Sequence, residues 1–331
     1  MNPDQRRRFH GLAHILAFAA LTSLGGLAHA QAGYPNRPIT LIVPTAPGGT
    51  TDIAARMIAE PLGKALGQTV IVDNRGGANG AIGAVVVKRA EPDGYTLLMQ
   101  YSGYHVITPW VTRAPLGWEA KDLQAVANVL SAPQLVVVRD GLPVKSLGEL
   151  VGYAKAHPGK LSFASSGNGS LQHVTGVMLD QQAGVDMLHV PYKGTGPALQ
   201  DLLGAQVDLT YGTPPPFMPF IASGKLRALA VTGKTRIASL PNVPTAAEAG
   251  LPQLDATSWF AVYAPAKTPQ AIVDKLSAEI AKVMATPAFK QKAAEQGATA
   301  DYKNPQQMTD YAKSELARWG AVVKASNIQG D

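Results

Sequence analysis

The chain of 331 residues contains no cysteine, and only 16% of its residues are charged. The absence of cysteine excludes disulfide scaffolds, thiolate metal sites and thiol nucleophiles. A charged fraction below the usual ~25% does not fit the charge-rich arms and tails of nucleic-acid-binding proteins. The 33 glycines and 25 prolines are too few to indicate low-complexity disorder. We therefore expect a globular protein with a sizeable core and, from its length, two domains.

Motifs for catalysis, metals and nucleotides are also absent from the sequence. It contains no H-E-x-x-H, no G-x-S-x-G, no G-x-x-x-x-G-K-[ST] and no G-x-G-x-x-G. Its later histidines, His105, His157, His173 and His189, do not have a metal-ligand spacing. We expect His157 to be exposed in a turn and His189 to be packed with a satisfied partner. The sequence predicts no cofactor, no metal and no catalytic residue.

The first thirty residues have the order of a secretory signal. Arg6, Arg7 and Arg8 precede an apolar run at 12–24, and small residues flank His29 at the end of the segment. The run is shorter than the ~20 residues that span a bilayer. We predict export to the periplasm with cleavage after Ala30, by the Sec or the twin-arginine route. A retained anchor or amphipathic helix is the alternative.

Loss of this segment changes the interpretation of the charge. The segment contributes +2 of the net charge of +6, so part of the positive charge of the whole chain belongs to the export signal. The rest of the chain has no stretch of 18 or more apolar residues. We therefore expect a soluble mature protein that does not bind nucleic acid.

Short apolar runs alternate with helical periods along the mature chain. This order favours an α/β protein with parallel sheets and helices on both faces. We expect Pro61 to kink or shorten the first helix and Pro197 to open a later one. We predict strands at 39–44, 70–73, 95–100, 161–164, 185–191, 207–211, 228–231 and 260–263, and helices at 52–66, 82–90, 147–156, 171–182, 197–203, 269–285 and 308–325.

Three strand-to-helix loops combine glycines with hydroxyl side chains: loop 1 at 44–52 (PTAPGGTTD), loop 2 at 165–170 (SSGNGS) and loop 3 at 192–197 (YKGTGP). A helix N-terminus has unpaired N–H groups and a partial positive charge, and glycine lets a ligand approach the backbone. The pattern is typical of an anion site for carboxylate or phosphate. The same residues also cap helices and form turns, so the loops alone leave both interpretations open. Asp52 in particular fits the first turn of a helix.

The sequence resembles the Bug-type extracytoplasmic solute receptors, the substrate-binding components associated with tripartite tricarboxylate transport. The resemblance covers nearly the whole mature chain in the expected order. The matching stretches are 34–42 (YPNRPITLI), 46–52 (APGGTTD), 70–83 (VIVDNRGGANGAIG), 92–98 (PDGYTLL), 164–173 (ASSGNGSLQH), 189–207 (HVPYKGTGPALQDLLGAQV), 224–232 (GKLRALAVT), 240–251 (LPNVPTAAEAGL) and Trp259.

This resemblance implies a two-domain periplasmic-binding-protein fold of type II, the Venus-flytrap fold, in which each domain is a mostly parallel sheet flanked by helices. Residues 1–30 would be the signal peptide, 31–131 with 256–331 the first domain, and 132–255 the second. The chain would cross between domains near 131–135 and 256–259. The ligand would lie in the cleft between the domains.

The family also implies the site and the partners. The ligand would be a small carboxylate, either a di- or tricarboxylate or an aromatic acid, delivered to membrane transporter subunits by a monomeric receptor that is not an enzyme. The alternatives are an exported hydrolase-like enzyme and a receptor that docks to a sensor protein. The ligand-binding positions implied are Thr45, Ala46, Gly48, Gly49, Asp52, Ser166, Asn168, Gly169, Ser170, His173, Tyr192, Lys193, Gly194, Thr195 and Gly212.

Two positions depart from the family pattern. Thr45 stands where an aromatic residue is frequent, and Gly212 stands where a polar or acidic residue is frequent. The loss of bulk predicts room for a larger ligand than a small dicarboxylate. The loss of the acid disfavours a free amino group on the ligand. Tyr101, Tyr104 and Trp110 either form a stacking wall for an aromatic acid or pack in the core.

Overall fold

The computed structural model of the protein describes residues 33–113, 115–326 and 328, so the predicted signal and its cleavage site lie outside the described residues. The chain divides into two units, Met1–Arg37 and Pro38–Asp331. In the first unit, residues 33–37 form a turn with a cis peptide bond between Tyr34 and Pro35. The second unit contains the sheets and helices that follow.

The first sheet has six strands in the order β11-β4-β10-β3-β1-β2. Strand β1 is parallel to β2 and β3, whereas β10 runs antiparallel to β3 and β4, and β11 antiparallel to β4. The strands are β1 (Ile39–Val43), β2 (Val70–Asn74), β3 (Thr96–Tyr101), β4 (Leu123–Pro133), β10 (Thr257–Pro265) and β11 (Thr299–Lys303).

The second sheet has five strands in the order β7-β6-β8-β5-β9. Strand β6 is parallel to β7 and β8, and β5 runs antiparallel to β8 and β9. The strands are β5 (Leu135–Arg139), β6 (Ser162–Ser165), β7 (Leu188–Pro191), β8 (Leu209–Gly212) and β9 (Leu226–Val231). Two apolar clusters cover this sheet, one around Phe163 and Tyr211 and the other around Leu135 and Phe217.

Helices flank both sheets, and none in the described part of the chain has the length and apolar character needed to cross a bilayer. A π-helical turn, Gly103–Ile107, follows β3. The α-helices are α1 (Thr50–Leu66), α2 (Ala81–Lys88), α3 (Thr108–Val111), α4 (Leu147–Ala156), α5 (Leu171–Ala183), α6 (Thr195–Leu203), α7 (Met218–Ala222), α8 (Gln270–Ala285), α9 (Pro287–Glu295) and α10 (Pro305–Ala325).

The α/β class is confirmed, but both sheets are mixed rather than mostly parallel. Strands β5 and β10 are the first strands that the chain forms after passing from one sheet to the other, and each runs antiparallel to both of its neighbours.

Three features of the structure differ from the predictions made from local sequence patterns. Helix α1 continues through Pro61, because the turns around it bury Ile58 and Leu62. Helix α6 begins at Thr195, so Pro197 is its third residue rather than its first. The eleven-residue strand β4 was not predicted, since its sequence LQAVANVLSAP mixes small and polar residues and lies almost wholly buried between two partners.

The chain passes between the two sheets at Gln134 and again just before Thr257. Afterwards α8 and α10 pack against β4 of the first sheet. The two passages lie within the crossings expected near 131–135 and 256–259. The predicted domain boundaries themselves stay a prediction.

Helix α5 approaches β6 at a glycine. A Cβ atom added to Gly176 would lie 2.5 Å from Cε2 of Phe163, whose ring is buried. A Cβ atom added to Gly152, inside α4, would have no other atom within 4 Å. Replacing each of the two glycines by alanine therefore distinguishes the effect of helix propensity from the effect of close packing.

We expect Gly152→Ala to stabilise the fold by up to ~1 kcal/mol, because alanine is the better helix former. We expect Gly176→Ala to destabilise it by about 1–3 kcal/mol, because the Phe163 ring has to move in a packed core. Urea unfolding of both variants checks this. Equal stability of the two variants would show that α5 does not depend on this close approach.

Candidate functional site

Loops 1, 2 and 3 meet where the two sheets face each other. The backbone N–H of Ala46 in loop 1 donates to the carbonyl of Lys193 in loop 3 at 3.3 Å. The hydroxyl of Thr213, after β8, donates to Thr50 Oγ1 at 2.6 Å. A Cβ atom at Gly196 would overlap the carbonyl of Pro47, so loops 1 and 3 approach as closely as glycine allows.

These loops enclose a cavity of about 10 Å³, which is room for about one water molecule. No charged side chain lines it among the described residues. Its lining consists of hydroxyl and amide side chains with one glycine. The lining residues are Thr45, Gly49, Thr50, Thr51, Tyr101, Gln134, Ser166, Gln172, Thr195, Thr213 and Ser258.

Three polar atoms of this lining lack a hydrogen-bond partner within the described part of the chain. They are Thr45 Oγ1, Ser166 Oγ and Gln134 Oε1, and each belongs to a residue that is at most 4% exposed. A buried polar group without a partner costs about 1–3 kcal/mol. Unpaired atoms of this kind gathered around one cavity indicate a ligand-binding site.

Three helix N-termini open around the same cavity. Helix α1 starts at Thr50 after Gly49, α6 starts at Thr195 after Gly194, and α5 is capped by Ser170, whose hydroxyl accepts from the N–H of His173 at 3.2 Å. The first N–H groups of a helix have no acceptor within the helix. The starts of α1 and α6 thus supply hydrogen-bond donors and partial positive charge at the cavity without a full positive charge. At the start of α5, the N–H groups of Leu171 and His173 already donate within the protein.

Hydrogen bonds from both sides fix loop 2. Gln172 accepts from the N–H of Ser166 at 2.8 Å and donates to Thr195 Oγ1 at 2.9 Å, which joins loop 2 to loop 3. From the first sheet, the Tyr104 hydroxyl donates to the Ser166 carbonyl at 2.7 Å, and the N–H of Leu171 donates to the Tyr101 hydroxyl at 3.1 Å. The backbone of Ser166 is therefore held from two segments, by Gln172 of α5 and by Tyr104 of the π-helical turn.

A model of the tripartite tricarboxylate transporter family receptor matches residues 54–328. The chain belongs to this family. The fold agrees with solved relatives. The periplasmic binding protein BugD is 36% identical, with a TM-score of 0.86 over 90% of this chain and 100% of that one.

Two further similar structures contain a ligand. R. palustris Rpa4515 with adipate is 37% identical, with a TM-score of 0.87 over 89% of this chain and 99% of that one. MatC from Rhodopseudomonas palustris with bound malate is 33% identical, with a TM-score of 0.83 over 88% of this chain and 100% of that one. Membership of this family shows that the protein is a periplasmic solute-binding receptor of the Bug type and not an enzyme. The two alternatives, an exported hydrolase and a protein that docks to a sensor, are not favoured.

The receptor brings only part of the predicted site to the cavity. Some predicted positions support the loops instead. Those that line it are Thr45, Gly49, Ser166 and Thr195. Those that lie in or beside the three loops without lining it are Ala46, Gly48, Asp52, Asn168, Gly169, Ser170, His173, Tyr192, Lys193, Gly194 and Gly212.

Asp52 and Tyr192 are examples of such support. The Asp52 carboxylate accepts from the N–H of Gly48 at 3.0 Å and from Asn74 Nδ2 at 3.1 Å, and it pairs with Arg56 at 3.0 Å. These contacts hold the bend of loop 1 and neutralise the charge beside the cavity. Tyr192 donates to Asp201 at 2.7 Å and braces loop 3 against α6.

Sequence reasoning missed six lining residues. Thr50 and Thr51 lie inside loop 1 and were available from the hydroxyl pattern that defined the loop. Gln172 lies one turn into α5, and Gln134 and Ser258 lie at the two passages between the sheets, where no local pattern marks a site. Thr213 follows Gly212 at the end of β8.

The prediction of extra room at Gly212 was wrong, and the choice left open for the three aromatic residues goes against a stacking wall. The space beside Gly212 is occupied by the buried ring of Phe217, which a Cβ atom at this position would overlap, so the glycine provides no extra room. The aromatic wall is also absent. Tyr101 lines the cavity, but Tyr104 bonds to loop 2, and Trp110 donates to the carbonyl of Leu316 on α10.

A pair of stacked imidazoles lies behind loop 2. The rings of His173 and His189 are 4.0 Å apart and nearly parallel. His173 Nδ1 accepts from the N–H of Gly169 at 3.2 Å, and His189 Nε2 lies 2.6 Å from Ser165 Oγ. His189 thus has the satisfied partner that was predicted, and His157 is exposed as predicted. Burial first, and then the charge of His173, lower the pKa of His189 to about 3.

This pKa predicts acid sensitivity. The unfolded chain binds the proton of His189 near its ordinary pKa of 6.5, whereas the folded chain does so only near 3. The stability supplied by the neutral ring is therefore fully present above pH 6.5 and is lost as the pH falls towards 3. We expect His189→Phe to make the free energy of unfolding less dependent on pH over this window, measured by urea unfolding at several pH values.

The control variant is His157→Phe, whose exposed side chain lies outside the stack. It should keep the pH dependence of the native protein. If His189→Phe kept it as well, protonation of His189 would not contribute to acid unfolding.

Proposed function

We propose that the receptor captures an aliphatic carboxylate in the cavity between loops 1, 2 and 3 and delivers it to a membrane transporter. The observation that carries this is the cavity lining, which combines three helix N-termini with buried hydroxyl groups, two of them unpaired. The adipate of Rpa4515 and the malate of MatC support the carboxylate class. The transporter partner is inferred from the family.

The electrostatics of the cavity favour a carboxylate over other ligands. Each helix N-terminus stabilises an anion by ~0.3–1 kcal/mol, and by up to ~2 kcal/mol when partly buried. No carboxylate lines the cavity in the described part of the chain, so an ammonium group would be buried without a partner. Among the described residues of the lining, an aromatic acid would find only the ring of Tyr101.

We infer that the ligand enters by separation of the two sheets. A cavity of about 10 Å³ admits no dicarboxylate, and its walls come from both sheets. The proposed domains, 31–131 with 256–331 and 132–255, would rotate about the passages at Gln134 and Ala256, and the monomer would close on one ligand. Contacts such as Thr213 to Thr50 at 2.6 Å would break on opening.

The Thr45 hydroxyl tests this proposal, because it has no partner in the described structure. We expect Thr45→Val to leave the free energy of unfolding of the unliganded protein unchanged or slightly higher. Its affinity for the tightest-binding acid in a panel of succinate, malate, adipate and citrate should fall about 10-fold or more, the effect of one lost hydrogen bond to a charged group. Calorimetry gives the affinity.

Thr268→Val is the matched control. This buried threonine lies outside the cavity and donates to the carbonyl of Pro265 at 2.8 Å. Its replacement should cost about 1 kcal/mol of stability and leave the affinity intact. Failure of every acid to bind the wild-type receptor would refute the proposed ligand class.

We also propose that the mature receptor begins at Gln31, after removal of residues 1–30 by a signal peptidase. Intact mass spectrometry of protein isolated from the periplasm should give the mass of residues 31–331. A mass that includes Arg6–Arg8 and the apolar run would show a retained N-terminal segment and contradict cleavage after Ala30.

A further inference from the structure

Gln134 occupies a special place in the fold. It is the single residue between β4 of the first sheet and β5 of the second, it is 1% exposed, and it lines the cavity. Its backbone N–H donates to the carbonyl of Ala256 at 3.2 Å, which belongs to the other passage between the sheets, and to Thr232 Oγ1 at 2.9 Å. These bonds fix the position of its side chain relative to both sheets.

Of the two polar atoms in the amide group of this side chain, one has a hydrogen-bond partner in the described part of the chain. Nε2 donates to Ser258 Oγ at 2.7 Å, while Oε1 is buried and has no partner in the described part of the chain. The serine oxygen accepts from the amide nitrogen, so the amide oxygen is the free end of the side chain.

An amide oxygen differs from the other unpaired groups of the cavity. The hydroxyls of Thr45 and Ser166 can donate to a carboxylate, but Oε1 can only accept. A ligand carboxylate at this end would place two acceptors against each other. An ammonium group would satisfy Oε1 but would have no counter-charge in the cavity. A neutral hydroxyl group satisfies Oε1 without these costs.

We propose that Gln134 Oε1 accepts a hydrogen bond from a hydroxyl group of the ligand, and that the receptor therefore prefers hydroxycarboxylates to the corresponding unsubstituted acids. This inference rests on the proposed carboxylate function. Gln134 is then a specificity-determining residue: the hydroxyl groups and helix ends bind the carboxylate, and Gln134 selects its substituent.

Matched pairs of acids that differ by one hydroxyl group test the proposal. The pairs are malate and succinate, 2-hydroxyglutarate and glutarate, and citrate and tricarballylate. In the pair that binds most tightly, we expect the wild-type receptor to bind the hydroxylated acid about 5- to 10-fold more tightly, as for one neutral hydrogen bond. Gln134→Met should abolish this ratio and change the affinity for the unsubstituted acid much less. Titration calorimetry gives both affinities.

Two further variants separate specificity from folding. Gln124→Met changes a glutamine of β4 that bonds to Gln270 away from the cavity, and it should keep the wild-type ratio. Gln134→Glu keeps an acceptor at the site but adds a negative charge, so both acids of a pair should bind more weakly while the hydroxylated acid stays preferred. Circular dichroism and urea unfolding verify that each variant is folded.

The outcomes separate the role of Gln134 from the proposed carboxylate function. Equal binding of both acids in every pair, or a preference that survives in Gln134→Met, would overturn the role of Gln134 while carboxylate binding stands. Absence of binding for all six acids would overturn the proposed function, and this inference with it.

Discussion

Buried polar groups need partners, and the proposed site of this receptor contains groups that lack them. In the described part of the chain, Thr45, Ser166 and Gln134 each have one atom at the cavity without a hydrogen-bond partner. Such atoms destabilise the folded protein unless a ligand satisfies them. The surrounding framework therefore has to hold them in place, and the hydrogen bonds of Gln172, Tyr104 and the stacked histidines do this for loop 2.

The same constraint explains how the proposed site would bind an anion although no arginine or lysine lines it in the described part of the chain. Helix N-termini and hydroxyl groups supply directed donors, and their geometry is fixed by the sheets that carry them. A neutral lining avoids burying a full charge in the unliganded receptor, which would be costly. The acid of loop 1, Asp52, is paired with Arg56 and holds the bend of that loop through the N–H of Gly48.

Because the fold contains two separate sheets, this arrangement depends on the position of one sheet relative to the other. Loop 1 belongs to the first sheet, and loops 2 and 3 belong to the second, so the cavity exists only when the sheets are together. Gln134 lies on one passage between the sheets, Ser258 lies just after the other, and both line the cavity. Ligand binding at the proposed site would therefore be coupled to the relative position of the sheets through these residues.

The sequence by itself determined the α/β class, most strands and helices, the three loops and the receptor family, because these depend on local periodicity, glycine and hydroxyl patterns, and long matching stretches. It did not reveal β4, whose mixed sequence is strand only because β10 and β11 pair with it. Tertiary structure also decided the lining. Gln134, Gln172, Thr213 and Ser258 are far apart along the chain and meet only through packing of the sheets, and Phe217 fills the space that Gly212 alone would leave open.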